Sequence, residues 1–506
     1  MRALTAWNRL ISPTVEEPSH HAGGFPAARL PAPRSASSVP EPPPTPRSPR
    51  IEDLANKGVP SRGTPAINTS PDTRVTFVRL EAAVAIGMVT MSSAPLFPLL
   101  YAPTTLDAAE VVWMRYLWLP VYAATVFFAA WHFRALRRAA PAFIPTVVLF
   151  GFAAASLSWS IEPDITLRRI EALAFNSLLS LYLAARFGWR DLARIVAAAM
   201  AILAVGSWVM CVGFPRLGIH QAANAGAWRG VWPEKNELGF VMAVGAQASV
   251  ACALLDARWR RAWLVSALLC AALVVLSRSG TAIICLVGSI ALAIGLASSR
   301  RHPIRAIGVA FFGGSLVLAL AFMTALDLPW MLELIGKDST LTGRTEVWAA
   351  VAHRVADRPI LGYGYEAFWH NLFGPALLVR HEAQWAVPSA HNGWLEILLE
   401  LGWVGAILAA AYVALTLWTV MRRLFVRTDG FWAIMYVAAF VASSLSESEI
   451  EKQNSLEWIL FATISIKLLA DLLASPVAAA LRSMRPDGPM AAPPTRPSAP
   501  APAARR

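Results

Sequence analysis

The chain has 506 residues, of which 56% are apolar and only 15% charged, and its mean hydropathy of +0.50 excludes an ordinary water-soluble enzyme. Its 44 lysines and arginines outnumber 32 acidic residues, for a net charge of +12. They are scattered between apolar runs rather than gathered on one domain, which argues against a nucleic-acid partner and makes arginine a marker of membrane orientation.

Of the 36 prolines, 14 fall in residues 1–75 and 8 in residues 476–506. Residues 1–79 are rich in Pro, Ser and Arg (PEPPPTPRSP over 40–49), too poor in apolar side chains to offset the entropy of ordering, and are predicted to be a disordered cytoplasmic tail. No cleavable signal pattern precedes the first apolar run, at about 82–101, so that run is expected to be an uncleaved crossing. Further runs follow at about 111–133, 142–158, 170–185, 193–214, 237–255, 262–276, 281–298, 306–326, 393–421, 431–446 and 455–474. The sequence therefore predicts an all-α, polytopic integral membrane protein of about 12 transmembrane helices over residues 80–475. Residues 476–506, rich in Pro, Ala and Arg, form a second expected disordered tail.

Alternate gaps between these runs carry three arginines each: Arg134, Arg137 and Arg138; Arg186, Arg190 and Arg194; Arg258, Arg260 and Arg261; Arg300, Arg301 and Arg305; Arg422, Arg423 and Arg427. That is the pattern expected of cytoplasmic loops, and with an even count it places both tails inside. The periplasmic side then receives 102–110, 159–169, 215–236, a tight turn at 277–280, a long loop at about 327–392, and 447–454. The long loop is the only external piece large enough to hold structure of its own. Four cysteines, all inside apolar runs, offer neither metal-ligand spacing nor a disulfide framework. No internal repeat is visible at the level of residue identity.

Positive charge on the outer side needs a reason other than orientation, and four positions stand out. Arg229 lies in AWRGVWPEKNELG, Arg278 in LSRSGTA at the hairpin turn, Arg344 in DSTLTGRTEVW of the long loop, and His391 in SAHNGWLEILLELGWVG where that loop re-enters the membrane. A single such arginine could simply snorkel to the headgroups, and a lone interfacial histidine is more often structural than catalytic. Several arginines at one surface suit a diphosphate, whose oxygens accept paired, charge-assisted hydrogen bonds from guanidinium groups. Ser277, Ser279 and Gly280 suggest a compact anion-receiving turn around Arg278. His391, expected as the first residue of a helix, adds a group that can accept a proton near neutral pH. Arg168, Arg169 and Glu171 could extend the basic surface, and Lys467 and Asp471 share a helix face. Tyr363, Tyr365, Trp369 and Trp385 could stack on sugar rings, although interface anchoring is the better account of most of them.

His391-Asn392, nine residues, Gly402, two residues and Gly405 resembles the signature of the O-antigen ligase and polysaccharide polymerase family. Arg229-Gly230 followed by Lys235-Asn236-Glu237-Leu238-Gly239, the Ser277-Arg278-Ser279 turn, and the TLTGRT string ending at Arg344-Thr345 resemble its exopolysaccharide repeat-unit polymerase branch. The likeness covers about residues 80–475. It implies a GT-C-type membrane glycosyltransferase working on the periplasmic side of the inner membrane without a metal or other cofactor. The implied donor is a glycan on undecaprenyl diphosphate, displaced with inversion by an acceptor hydroxyl. The histidine role falls on His391 and the diphosphate role on Arg229, Arg344 and, as a further candidate, Arg278, with Asn392, Gly402, Gly405, Lys235 and Asn236 as supporting positions. The short 215–236 loop and the long tails depart from the family.

The leading functional reading is polymerisation of lipid-linked repeat units into exopolysaccharide or O-antigen, favoured by the KNELG and TLTGRT strings. A ligase transferring a finished glycan to lipid A core or protein would use the same chemistry. A glycolipid flippase or exporter is disfavoured because the singled-out residues gather at one face rather than at the bilayer midplane. A scaffold subunit of an export complex would place function in the tails. The expected partners are the lipid-linked oligosaccharide, membrane lipids and other polysaccharide assembly and export proteins.

Overall fold

A computed structural model describes residues 71–95, 114–221, 224–299, 301–325, 344–371, 373–426 and 431–474. The bulk of both proline-rich tails and the 326–343 part of the long loop lie outside the described residues. Residues from Glu81 onward belong to one compact unit; a second, Ser12–Leu80, is described only from residue 71, in the first turns of a helix.

The described residues are helical, with a lone antiparallel bridge, Ile219 to Trp228, as their extended pairing. In chain order the helices are α1 (Pro71–Met91), α2 (Leu119–Trp131), α3 (Phe133–Ala155), α4 (Pro163–Arg186), α5 (Trp189–Gly213), α6 (Lys235–Leu255), α7 (Arg260–Leu276) and α8 (Gly280–Ser299). Then come α9, built of Pro303–Gly308, a π-helical turn Val309–Gly313 and Gly314–Ala325, and α10 (Arg344–Asp357), α11 (Pro375–Ala383), α12 (Gly393–Val426), α13 (Phe431–Ser443) and α14 (Leu456–Leu473). Each of the twelve apolar runs overlaps one of them. Among the described residues, six stretches are long and apolar enough to cross a bilayer by themselves: Phe133–Ser158, Trp189–Gly213, Lys235–Leu255, Gly280–Ser299, Pro303–Met323 and Gly393–Arg423. The chain is thus an all-helical, multi-pass membrane protein.

Its side chains are arranged for a lipid solvent. Val126, Phe127, Ile202, Val209, Leu268, Val287, Phe311 and Phe312 face outward, while hydroxyls and amides pair between helices. Thr146 and Tyr412 share a hydrogen bond of 2.8 Å, Thr416 and Ser465 one of 2.8 Å, Ser249 and Ser266 one of 2.9 Å, and Gln247 donates to Ser289 Oγ at 2.7 Å. In hydrocarbon such groups have no water to turn to, so they join helices to one another. All four cysteines are buried and free. Helix α6 is the most enclosed of the six spans, 83% buried, and packs against α5, α7, α8 and α13.

The two ends of the bundle differ chemically. At one, Arg186 grips the fully buried Glu81 through Nε and Nη2, Arg194 meets Asp256 at 3.0 Å, and Arg423 pairs with Asp471. Lys467 and Asp471 share a helix face; Asp471 accepts from Arg423 and from Trp189 Nε1, and Lys467 Nζ donates to the Ala184 carbonyl at 3.3 Å. The arginine triplets also differ from expectation. Only His132 separates α2 from α3, so Arg134, Arg137 and Arg138 lie within α3 rather than in a loop. A long arginine stem carries its charge past the helix end, so the charge needs no loop of its own.

At the opposite end, residues 344–371 and 373–392 form a small body over the helix ends. Val347, Ala350, Val351, Phe368, Ala376, Val379, Val387 and Leu399 share a hydrophobic core beneath α10 and α11. These residues fall within the stretch read from the sequence as a long loop.

Candidate functional site

The carboxylate of Glu447, in the 444–455 connection between α13 and α14, lies where three distant segments meet. Its Oε1 accepts from Asn236 Nδ2 at 2.8 Å and lies 3.4 Å from Arg344 Nη2, while its Oε2 lies 3.7 Å from His391 Nδ1. Arg344, the first residue of α10, also donates from Nη1 to the Ser446 carbonyl at 3.1 Å. Glu234 lies within electrostatic reach of His391, Glu447, Arg229 and Lys235. Thus Arg229, Lys235, Asn236, Arg344 and His391, scattered over more than 160 residues of sequence, come together at one end of the bundle. Burial alone would push the Glu447 carboxyl up, but the facing His391 imidazole and the Arg344 charge outweigh it and hold it below the usual carboxylate range.

His391 is not the first helical residue. Helix α12 starts at Gly393, and Asn392 is its cap: Asn392 Oδ1 accepts the N–H of Trp394 at 3.0 Å and of Leu395 at 3.2 Å. His391 sits one residue earlier with φ of 48°, in the left-handed region, a conformation histidine tolerates better than most residues. That turn is held from several sides. The fully enclosed carboxylate of Glu396 accepts from Ala390 N at 2.8 Å, from Trp369 Nε1 and from Ser448 Oγ at 3.2 Å, and Trp348 Nε1 donates to the Ala390 carbonyl at 2.9 Å. Gly393 N donates to the Ser444 carbonyl at 2.8 Å. Glu396 and Gly393 therefore tie the His391 segment to the Glu447 segment on either side of the pair.

Gly402 adopts φ 62°, ψ −164°, and breaks α12 there. The freed groups pair with residues 359–364: Tyr363 N and Gly364 N donate to the carbonyls of Leu399 and Glu400, and Trp403 N and Val404 N donate to those of Pro359 and Ile360. The break docks the small body of α10 and α11 onto α12. A β-carbon on Gly405 would meet Leu401 Cβ at 2.2 Å.

Arg278 also has a left-handed backbone, φ 53°, at the α7–α8 turn. The neighbouring serines do not form an anion cradle. Ser277 Oγ donates to the Val274 carbonyl at 2.7 Å, Ser279 Oγ accepts the Ala282 N–H at 3.4 Å, and both residues are buried; they close the two helix ends. The exposed Arg278 guanidinium reaches over the 224–226 turn, donating to the Ala225 carbonyl at 3.4 Å, and Trp228 N donates to the Leu276 carbonyl. Arg229 braces the same loop, with Nε on the Leu217 carbonyl at 2.8 Å. Gly239 in the first turns of α6 abuts Ser277, Ser279 and Ala282, so the Arg278 turn borders the α6 end that holds Lys235 and Asn236.

Of the four aromatic candidates, Tyr363, Tyr365 and Trp369 are buried and all three are committed: Tyr363 OH donates to the Arg354 carbonyl at 3.0 Å, Tyr365 OH to the Glu451 carbonyl at 2.6 Å and Trp369 to Glu396. Trp385 is 43% exposed, with its ring nearly parallel to that of His391, centroids 6.4 Å apart. Arg169 donates from Nη2 to His370 Nε2 at 2.9 Å, so it braces the body of α10 and α11. Sequence reasoning missed Glu447 and Glu396. The one available signal was the density of acidic residues in SSLSESEIEKQNS, a short connection between two apolar runs.

Residues 263–410 match the family model described as O-antigen ligase. That segment runs from α7 through the Gly402 break and carries Arg278, Arg344, His391, Asn392, Gly402 and Gly405. Over that segment the chain is similar to the O-antigen ligase family. The chain is also 26% identical over 309 residues to the exopolysaccharide production protein ExoQ of Rhizobium meliloti (strain 1021), a match covering 57% of this chain and 70% of that relative. No group of three or more His, Cys, Asp or Glu side chains that could hold a metal ion occurs among the described residues.

Proposed function

We propose that this O-antigen ligase/polymerase-like protein is a membrane glycosyltransferase that polymerises undecaprenyl-diphosphate-linked oligosaccharide repeat units at the periplasmic face of the inner membrane. In this reading the chain makes about twelve crossings, has both termini in the cytoplasm, and carries 80–475 as its catalytic domain. The observation that carries it is the convergence of His391 with Arg344, Arg229, Lys235 and Asn236 at one end of a multi-pass bundle. The likeness to an exopolysaccharide production protein supports polymerisation over ligation.

A lipid-linked diphosphate is already an activated leaving group, so the enzyme's task is to orient two large substrates and neutralise developing charge. Arg229, Arg344 and Arg278 would hold the diphosphate oxygens with paired hydrogen bonds. His391 would take the proton from the attacking acceptor hydroxyl. The hydroxyl oxygen bonds to the anomeric carbon from the face opposite the diphosphate, and the C–O bond to the diphosphate breaks with its electron pair going to that group, so the configuration inverts. None of these steps calls for a metal, since guanidinium groups supply the positive charge. Trp385, exposed beside His391, would stack on the acceptor sugar.

The test is incubation of the purified protein in detergent with a defined polyprenyl-diphosphate oligosaccharide. Products with two or more repeat units on one lipid support polymerisation. Transfer solely to added lipid A core or protein would replace it with ligation, and an unchanged substrate would overturn both.

A further inference from the structure

We infer that Glu447 is the positioning residue of this site: its carboxylate fixes His391 with Nδ1–H toward Glu447 and Nε2 toward the acceptor, and couples the histidine to the diphosphate-binding Arg344. This rests on the glycosyltransferase reading above. The geometry is that of a bridge, with one oxygen shared by Asn236 at 2.8 Å and Arg344 at 3.4 Å, and the other facing His391 Nδ1 at 3.7 Å.

The segments on both sides of the bridge are fixed independently of it. Glu396 accepts from both Ala390 and Ser448, the residues immediately before His391 and immediately after Glu447, and Gly393 donates to Ser444. A surface ion pair between two loose loops would have no such supports. Beside the bridge, a β-carbon on Gly393 would meet Ile450 Cγ1 at 2.9 Å and the Glu447 carbonyl at 3.3 Å, so the two chains run in contact.

The chemical consequence follows from which nitrogen is engaged. An imidazole whose Nδ1 carries the proton presents Nε2 as the acceptor. When the acceptor hydroxyl transfers its proton to Nε2, the imidazolium formed faces a carboxylate that stays ionised, so the new positive charge is compensated where it appears. Glu447 does not take the proton; His391 releases it to solvent after the diphosphate has left. The charged groups facing the pair are Arg344 from α10, Lys452 from the same connection as Glu447, and Glu234 at the start of α6, itself flanked by Arg229 and Lys235. They stay in place in a Glu447 variant.

The experiment compares Glu447→Gln, Glu447→Asp, His391→Ala and the His391→Ala/Glu447→Gln double variant, purified in detergent, on a polyprenyl-diphosphate trisaccharide across pH 5 to 9. Glu447→Gln keeps the shape and an oxygen for Asn236 while removing the charge. Its kcat is expected to fall roughly 10- to 100-fold, a part of the 10²–10⁴-fold a positioned base contributes, with the donor KM within about twofold. Without the carboxylate the imidazolium is less favoured, so the acid limb of the kcat profile moves to lower pH. Glu447→Asp recovers part of the rate, and the double variant is no worse than His391→Ala, because the two residues act as one unit.

A wild-type kcat in Glu447→Gln overturns the inference. So does a loss confined to donor KM, or a lowered rate with an unmoved acid limb. If His391→Ala itself retains full turnover, the glycosyltransferase reading in this form falls; if His391→Ala is inactive and Glu447→Gln is normal, the role of Glu447 alone falls.

Discussion

Gly402 and Ile360 are in backbone contact so close that a β-carbon on Gly402 would lie 2.2 Å from the Ile360 carbonyl oxygen. No side chain fits, and φ 62° with ψ −164° is a conformation essentially reserved to glycine, which disfavours one independently by roughly 1–3 kcal/mol. Gly402→Ala is therefore expected to lower the melting temperature in detergent and to abolish polymer formation. Gly313→Ala, in the π-helical turn, meets only Leu292 Cδ1 at 3.2 Å and Val309 Cγ1 at 4.0 Å, and should be far milder. Equal melting temperatures for the two variants would contradict the docking role given to the α12 break.

His391→Ala and Arg344→Ala should insert normally yet leave lipid-linked single repeat units unextended. The expected loss for His391→Ala is roughly 10²–10⁴-fold in turnover. Gel analysis of lipid-linked products from membranes containing each variant checks this; normal chain length from either would remove that residue from the reaction.

Arg278→Lys keeps a positive charge over the 224–226 turn but loses the planar, paired donors of guanidinium. Because charge-assisted hydrogen bonds contribute about 1.5–3 kcal/mol each, turnover should fall by about tenfold or more. Full activity would mean that Arg278 supplies charge alone.

Trp385→Ala should raise the acceptor concentration needed for half-maximal rate, on the order of tenfold, with Trp385→Phe intermediate. If Trp385 were solely a membrane anchor, the variant would change membrane content and leave the kinetics of the inserted protein untouched.

The pH dependence of stability carries a defined sign. Since the folded protein holds the Glu447 carboxyl below its usual range, its contribution is complete above the unfolded value near about 4.3 and is lost as pH falls through the folded value. Melting temperatures measured between pH 6 and pH 3 should fall more steeply for the wild type than for Glu447→Gln. Parallel curves would show that the carboxylate is not paired in the folded state.

The apolar runs were legible because a bilayer demands about 20 apolar residues per crossing wherever they occur, and each run overlaps a helix. The arginines of the site and His391 were legible because positive charge and imidazole are out of place beside the runs they border. Glu447 was not: it is an acidic residue in a polar connection, and its partners Arg344 and Asn236 lie 103 and 211 residues away in sequence, a relationship no local spacing encodes. The purpose of Ser277 and Ser279 was misread for the opposite reason. Hydroxyls beside an arginine suggest an anion, but two helix ends meeting in a tight turn must first satisfy their own backbone groups. Gly402 was visible as a glycine and invisible as a break, since the pairing that replaces its helical bonds comes from residues 359–364.

The distance between His391 and Gly402 behaves as a ruler. One end is clamped by the Asn392 cap and the other by the sewn junction with 359–364, so the intervening turns admit neither gain nor loss. Inserting one residue there would rotate the imidazole by about 100° about the axis of α12 and swing it off Glu447. Length variation across relatives should accordingly gather on the far side of the clamps, in the span between α11 and His391.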